Sequence, residues 1–134
     1  MRGLLLLAAA LSGLAYPVGA DESRDGAALY QQNCASCHGV ELEGQPDWRR
    51  AGPDGRLPAP PHDATGHTWH HGDDILFRIT RDGTAAVVGG GYEGNMPGFG
   101  DSLSDAQIRA ILDYIKSTWP ERQRAHQREV TRQE

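Results

Sequence analysis

Cys34-Ala35-Ser36-Cys37-His38 holds both cysteines of the chain, and its reading decides the fold. A disulfide across two intervening residues closes so small a loop that it barely restricts the unfolded chain, so these thiols are poor structural staples. A redox pair of the thioredoxin kind needs a β-α-β setting, and no convincing alternating strand precedes Cys34. A zinc site needs further ligands, which the later histidines could supply. The third reading is covalent haem attachment, for which C-x-x-C-H is the signature. Two thiols at this spacing can each add to one vinyl group on the same macrocycle edge, and His38 can then offer Nε2 to iron.

The rest of the composition asks for such a filler. The chain has 134 residues, 38% hydrophobic and only 7% aromatic, with Gly 17 and Pro 8 to interrupt regular structure. One small domain fits this length, while a TIM barrel or a full dinucleotide-binding fold does not. A protein-only core would be thin, and small domains in that position need a disulfide, a metal or a cofactor.

Upstream, Met1-Arg2 is a short basic start, Leu4 to Ala15 an apolar run, and Val18-Gly19-Ala20 a set of small residues after Pro17. This is the pattern of a secretory signal peptide over 1–20, and its apolar run is too short for a good membrane span. An uncleaved N-terminal anchor is the alternative; a lipoprotein anchor is excluded because no cysteine sits near the cleavage site. Removal of 1–20 leaves 12 basic against 18 acidic side chains, net −6, and no stable membrane span. The expected product is exported to a Gram-negative periplasm. Its acidity argues against nucleic acid and anionic membranes as partners.

Downstream, a single methionine survives signal removal: Met96, in Asn95-Met96-Pro97-Gly98-Phe99-Gly100. A thioether is a soft iron ligand, and Met/His pairing raises haem potential. Pro97 and the glycines make a rigid turn able to hold the Met side chain in place. The alternative, a Met that fills a core gap, sits poorly in a Gly/Pro-rich loop.

On these residues the chain resembles the class I cytochromes c, from Gly26 to about Trp119. Gly26 and Tyr30, eight and four residues before Cys34, match the small residue and the aromatic that let the family's N-terminal helix cross its C-terminal one. Ile111, Tyr114 and Ile115 match the facing positions. The order of helix, C-x-x-C-H, long loop, short helix, M-P loop and final helix is the family's, and the N-terminal motif separates it from the cytochrome c-prime bundles. The resemblance implies an all-α, cytochrome c-like fold, with three to four helices and long loops wrapped around one covalently bound haem c. It implies thioethers from Cys34 and Cys37, and His38 and Met96 as axial iron ligands. It also implies a proline carbonyl that accepts from the other ring nitrogen of His38, with Pro60 and Pro61 both candidates. Tyr92 and Asn95 are candidates to donate to the Met96 sulfur or to water beside it. Trp48, Arg49, Arg50, Arg56 and Trp69 are candidate propionate partners, or ordinary surface and loop residues.

The patterning divides the chain into the signal peptide, a cytochrome c domain over 21–120 and a charged C-terminal tail over 121–134. A short helix is expected over Asp25 to Asn33. Residues 39–72 form a loop too long for a protein-only fold, but reasonable around a flat cofactor. A helix starting at Asp73-Asp74 should show an Ile75, Leu76, Ile79 face and end before Gly83. Ser104 with Gln107 makes a capping box, Leu103 can staple onto Ile108, and Ile108, Ile111, Leu112 and Ile115 give a buried stripe. The tail is expected as a frayed, solvated helix or as disorder.

The generic pattern does not require His62, His67, His70 and His71. They are polar loop residues, or, were Gly66 to Gly72 helical, His67 and His71 share a face at copper- or zinc-binding spacing; one of the four could also replace Met96 on iron. The leading function is a single-haem electron carrier without catalytic residues of its own. Its partners would be redox proteins: a dehydrogenase, a quinol-oxidising complex or a terminal oxidase. The alternatives are a haem enzyme or gas- or peroxide-binding protein with an open iron site, a copper-binding module, and a subunit of an oxidoreductase complex.

Overall fold

The computed structural model describes residues 25–134, and the signal peptide expected over 1–20 lies outside the described residues. Asp25 caps the first helix, α1 (Gly26–Asn33), its carboxylate accepting from the Ala28 N–H at 2.9 Å. Cys34 interrupts the chain for one residue. Its carbonyl then accepts from the N–H groups of Cys37 and His38, which opens the single turn α2 (Ala35–His38). The long connection that follows contains one 3-10 turn, Thr68–His70. After it come α3 (Asp73–Asp82), α4 (Thr84–Val88), α5 (Asp105–Ser117) and α6 (Glu121–Thr131). The described residues are helical and carry no strand, so the all-α expectation stands. The helices beyond the expected three to four are the short α2 and α4, and α6 in the tail.

The core forms where α1 crosses α5. A Cβ on Gly26 would lie 2.1 Å from the Ala110 carbonyl oxygen, so only glycine permits this approach. Tyr30, one turn on, is fully buried and meets Tyr114 with ring centroids 5.6 Å apart. The α5 stripe is buried as the sequence indicates: Ile108, Ile111, Leu112 and Ile115. Ser104 and Gln107 complete the capping box, and Leu103 is buried beside the stripe. Gly26→Ala forces a methyl group into a backbone carbonyl and should cost about 3 kcal/mol. Thermal unfolding of the haem-loaded protein would show it as a marked fall in Tm; an unchanged Tm would mean the helices do not cross this closely.

Two elements differ from the sequence reading. On α3 the buried residues are Leu76, Phe77 and Thr80, while Ile75 and Ile79 are only half-buried. Thr80 joins the inner face because its hydroxyl donates to the Leu76 carbonyl at 2.9 Å, which satisfies the group inside the helix. The tail is neither solvated throughout nor disordered. α6 docks beside the 3-10 turn through Gln127, whose amide lies 2.8 Å from the Asp73 carboxylate, 3.0 Å from the Thr131 hydroxyl and 3.3 Å from the His71 carbonyl. Lys116 adds ion pairs to Asp73 at 3.1 Å and Asp113 at 3.0 Å. The Glu134 carboxylate accepts from the N–H of Asp74 at the start of α3, a favourable place for negative charge. Gln127→Leu leaves the Asp73 carboxylate and the His71 carbonyl short of a donor and should cost about 1–3 kcal/mol. Faster proteolysis or amide exchange confined to α6 would be its signature.

No helix among the described residues is long and apolar enough to cross a membrane.

Candidate functional site

The junction of α1 and α2 presents the two thiols within one turn, Cys34 buried and Cys37 exposed. Burial, and then the neighbouring Cys37, push the Cys34 thiol up to about 11. It is protonated at neutral pH, unlike the activated thiolate of a redox pair. Among the described residues no group of three or more His, Cys, Asp or Glu is placed to hold a metal ion.

His38 closes α2 and is 6% exposed. Its Nδ1 lies 2.9 Å from the Pro60 carbonyl. A carbonyl only accepts, so Nδ1 carries the proton and Nε2 keeps its lone pair. Of the two candidate prolines, Pro60 meets this ring; the Pro61 carbonyl instead has the Thr68 hydroxyl at 3.5 Å. Burial pushes the His38 ring toward its neutral form, while the bond to Pro60 acts the other way. Backbone bonds hold the Pro60 carbonyl in register: Gly44 N–H to the His38 carbonyl, Gln45 N–H to Ala59, and His62 N–H to Leu42.

Met96 is half-buried in a loop that returns to the end of α3. The N–H groups of Phe99 and Gly100 donate to the carbonyls of Thr80 and Arg81, at 3.0 and 2.9 Å. Gly83, with φ of +90°, turns the chain between α3 and α4 and faces the Met96 and Pro97 backbone, where a Cβ would be 3.3 Å from the Met96 oxygen. Asn95 does not spend its side-chain oxygen on the loop; it accepts from Arg56 Nη1 at 3.1 Å. Tyr92 stands exposed.

Within the candidate propionate set, Arg56 carries a buried donor without a partner. One terminal nitrogen serves Asn95, another lies 3.6 Å from the Glu93 carboxylate, and Nε is buried with no partner. A buried N–H without an acceptor is costly, and a carboxylate would satisfy it. Trp48 instead stacks on His67 and lies under Arg49, at 4.2 Å, while Trp69 donates to the Ala64 carbonyl and stacks on His70. The residues therefore fit a haem: a protein-held imidazole with a free Nε2, a thioether on a braced loop, paired thiols, and an unpaired guanidinium nitrogen for a propionate.

The extra histidines divide. His67 and His71 flank a 3-10 turn rather than share an α-helical face, yet their rings meet edge to face at 5.5 Å. His70 lies beside His126 of α6 at 5.4 Å. His62 leaves this group altogether and stacks on His38, with ring centroids 3.9 Å apart and planes at 25°. Sequence reasoning missed that contact by grouping residues 62–71 together. The available signal was the position of His62 two residues after Pro60.

A family model described as Cytochrome c matches residues 23–119. A nitrite reductase of Stutzerimonas stutzeri is 30% identical over 125 residues, which cover 88% of this chain but 20% of that protein; the chain thus spans about a fifth of the length of the relative it matches. No solved structure matches significantly. The family match runs from just before α1 to the buried Trp119 at the end of α5, over every element that positions the paired thiols and His38, and the chain belongs to the cytochrome c family of electron-transferring proteins with covalently held haem c.

Proposed function

We propose that the mature protein, after removal of residues 1–20, is a periplasmic single-haem shuttle that moves electrons between redox proteins. Cys34 and Cys37 would hold the haem through thioethers, and His38 and Met96 would be its iron ligands. The observation that carries this reading is the 2.9 Å contact between His38 Nδ1 and the Pro60 carbonyl, because it fixes the tautomer with Nε2 free for a metal. The haem, when bound, supplies one reversible electron at iron. Burial favours the neutral form of His38, in which Nε2 carries the lone pair a metal needs. The Met96 loop is tied to α3 by two backbone bonds, which would keep the thioether in place for iron. Arg56 offers its unpaired Nε to a propionate and links that point to the Met96 loop through Asn95. Dehydrogenases, quinol-oxidising complexes and terminal oxidases are the partner classes that suit such a carrier.

Carbon monoxide added to the reduced protein tests the closed site. An unchanged spectrum supports the carrier; a ready shift would mean an open iron position and an enzyme or sensor.

A second reading has one observation in its favour. Because the similar nitrite reductase is about five times longer, this domain would serve as the electron-delivering part of an oxidoreductase assembly. Co-purification with a catalytic partner in fixed stoichiometry, from the native cell, would select it.

A further inference from the structure

His62 makes a contact that the electron-carrier reading does not use. Its ring lies nearly parallel to that of His38, at 3.9 Å between centroids, which is van der Waals contact over a whole face. His62 cannot easily turn away. Its Nδ1 is 2.7 Å from the Thr68 hydroxyl, and Thr68 is buried in the 3-10 turn. Its N–H donates to the Leu42 carbonyl at 2.8 Å, and its own carbonyl accepts the Trp119 indole N–H at 2.7 Å. Trp119 is 2% exposed, so a buried residue just past α5 holds the His62 backbone in place.

The Pro60 bond alone pins the His38 ring at one atom. A ring held at Nδ1 and at a metal on Nε2 can still rock about the line between them. A flat, braced neighbour at van der Waals distance stops that rocking, because tilting either edge drives it into the partner ring. We propose that His62 is a positioning residue for His38: by stacking on it, His62 sets the rotational orientation of the axial imidazole plane and thereby the electronic anisotropy of the ferric haem. This rests on the reading of His38 as an iron ligand. The stack places His62 directly against the His38 ring. An outer partner that orients a ligating histidine is a general device of metal sites; here it is a second imidazole acting by contact rather than by a hydrogen bond to the ligand.

The test uses the haem-loaded protein and two spectroscopic readouts: the ferric low-spin electron paramagnetic resonance spectrum and the hyperfine-shifted haem methyl resonances in proton NMR. His62→Leu keeps apolar bulk and removes the flat ring. It is expected to shift and broaden the g-values and to reorder the methyl shifts, while the methionine-to-iron absorption band persists. His62→Phe restores a flat ring and is expected to lie closer to the wild type; a departure as large as that of leucine would overturn the proposal. Thr68→Val leaves His62 in place and releases its anchor, so a smaller shift in the same direction is expected. Wild-type g-values and methyl pattern in His62→Leu would overturn the proposal, and if that variant does not accumulate, an unchanged Thr68→Val spectrum does so. The parent reading is checked separately: wild-type protein without the hyperfine-shifted resonances of an iron-bound imidazole would remove His38 as ligand, and the positioning role with it.

Discussion

Met96→Ala protein is expected to lose the weak methionine-to-iron charge-transfer band, to bind carbon monoxide when reduced, and to fall in reduction potential. Each effect follows from taking away the thioether. A soft sulfur ligand favours the ferrous state, and axial ligands tune haem over a range of roughly 0.8 V, so the fall should be plain in a redox titration. The fold should survive, since Met96 is only half-buried and its loop is held to α3 by the backbone bonds of Phe99 and Gly100 rather than by the side chain. Met96→His separates the parts further. It should keep the iron closed to carbon monoxide, abolish the band and lower the potential, because imidazole is the harder donor. If Met96→Ala left band and potential unchanged, Met96 would not be a ligand.

The second large effect belongs to the thiols. Cys34→Ala/Cys37→Ala should release the haem into acidified organic solvent, from which the wild-type haem does not extract. It should also lower the stability of the chain, because a cofactor that is no longer covalently held supports the fold only by mass action. The single variants should differ. Cys34 is buried against α1 and the core, whereas Cys37 is exposed. Cys34→Ala therefore loses packing as well as a thioether and should be the less stable of the two, while Cys37→Ala should lose little beyond the bond. Both singles should retain haem through the remaining sulfur, with a pyridine haemochrome band moved from its two-thioether position. Equal haem loss on extraction from wild type and double variant would contradict covalent attachment at these cysteines.

What the sequence could and could not show has a physical pattern. α1 and α5 were legible because their signals are local: Ala28, Leu29 and Gln32 around one turn of the first, and a capping box at Ser104 with an aliphatic stripe at helical spacing in the second. The docking of α6 was not, because its inward residues, Gln127 and Thr131, are polar and, beyond their bond to each other, are satisfied by partners more than fifty residues away in sequence, Asp73 and His71. A helix docked by hydrogen bonds leaves no apolar stripe to read. The α3 face is legible only in part: Leu76 is buried as expected, but Thr80, which reads as polar, spends its hydroxyl on its own helix and goes inside. At the site, the pentapeptide and Met96 announce their chemistry by residue type. The choice of Pro60 over Pro61, the use of Asn95 by Arg56, and the stack of His62 on His38 depend on how the 39–67 loop closes. Composition and spacing do not carry that closure.

The central claim is that His38 and Met96 together would hold the iron. The optical spectrum of the matured, oxidised protein bears on it most directly. A low-spin spectrum with the weak methionine-to-iron band is the expected result. A high-spin spectrum, or a low-spin one without that band, would contradict the claim, the first by showing an open position and the second by showing another ligand in place of Met96.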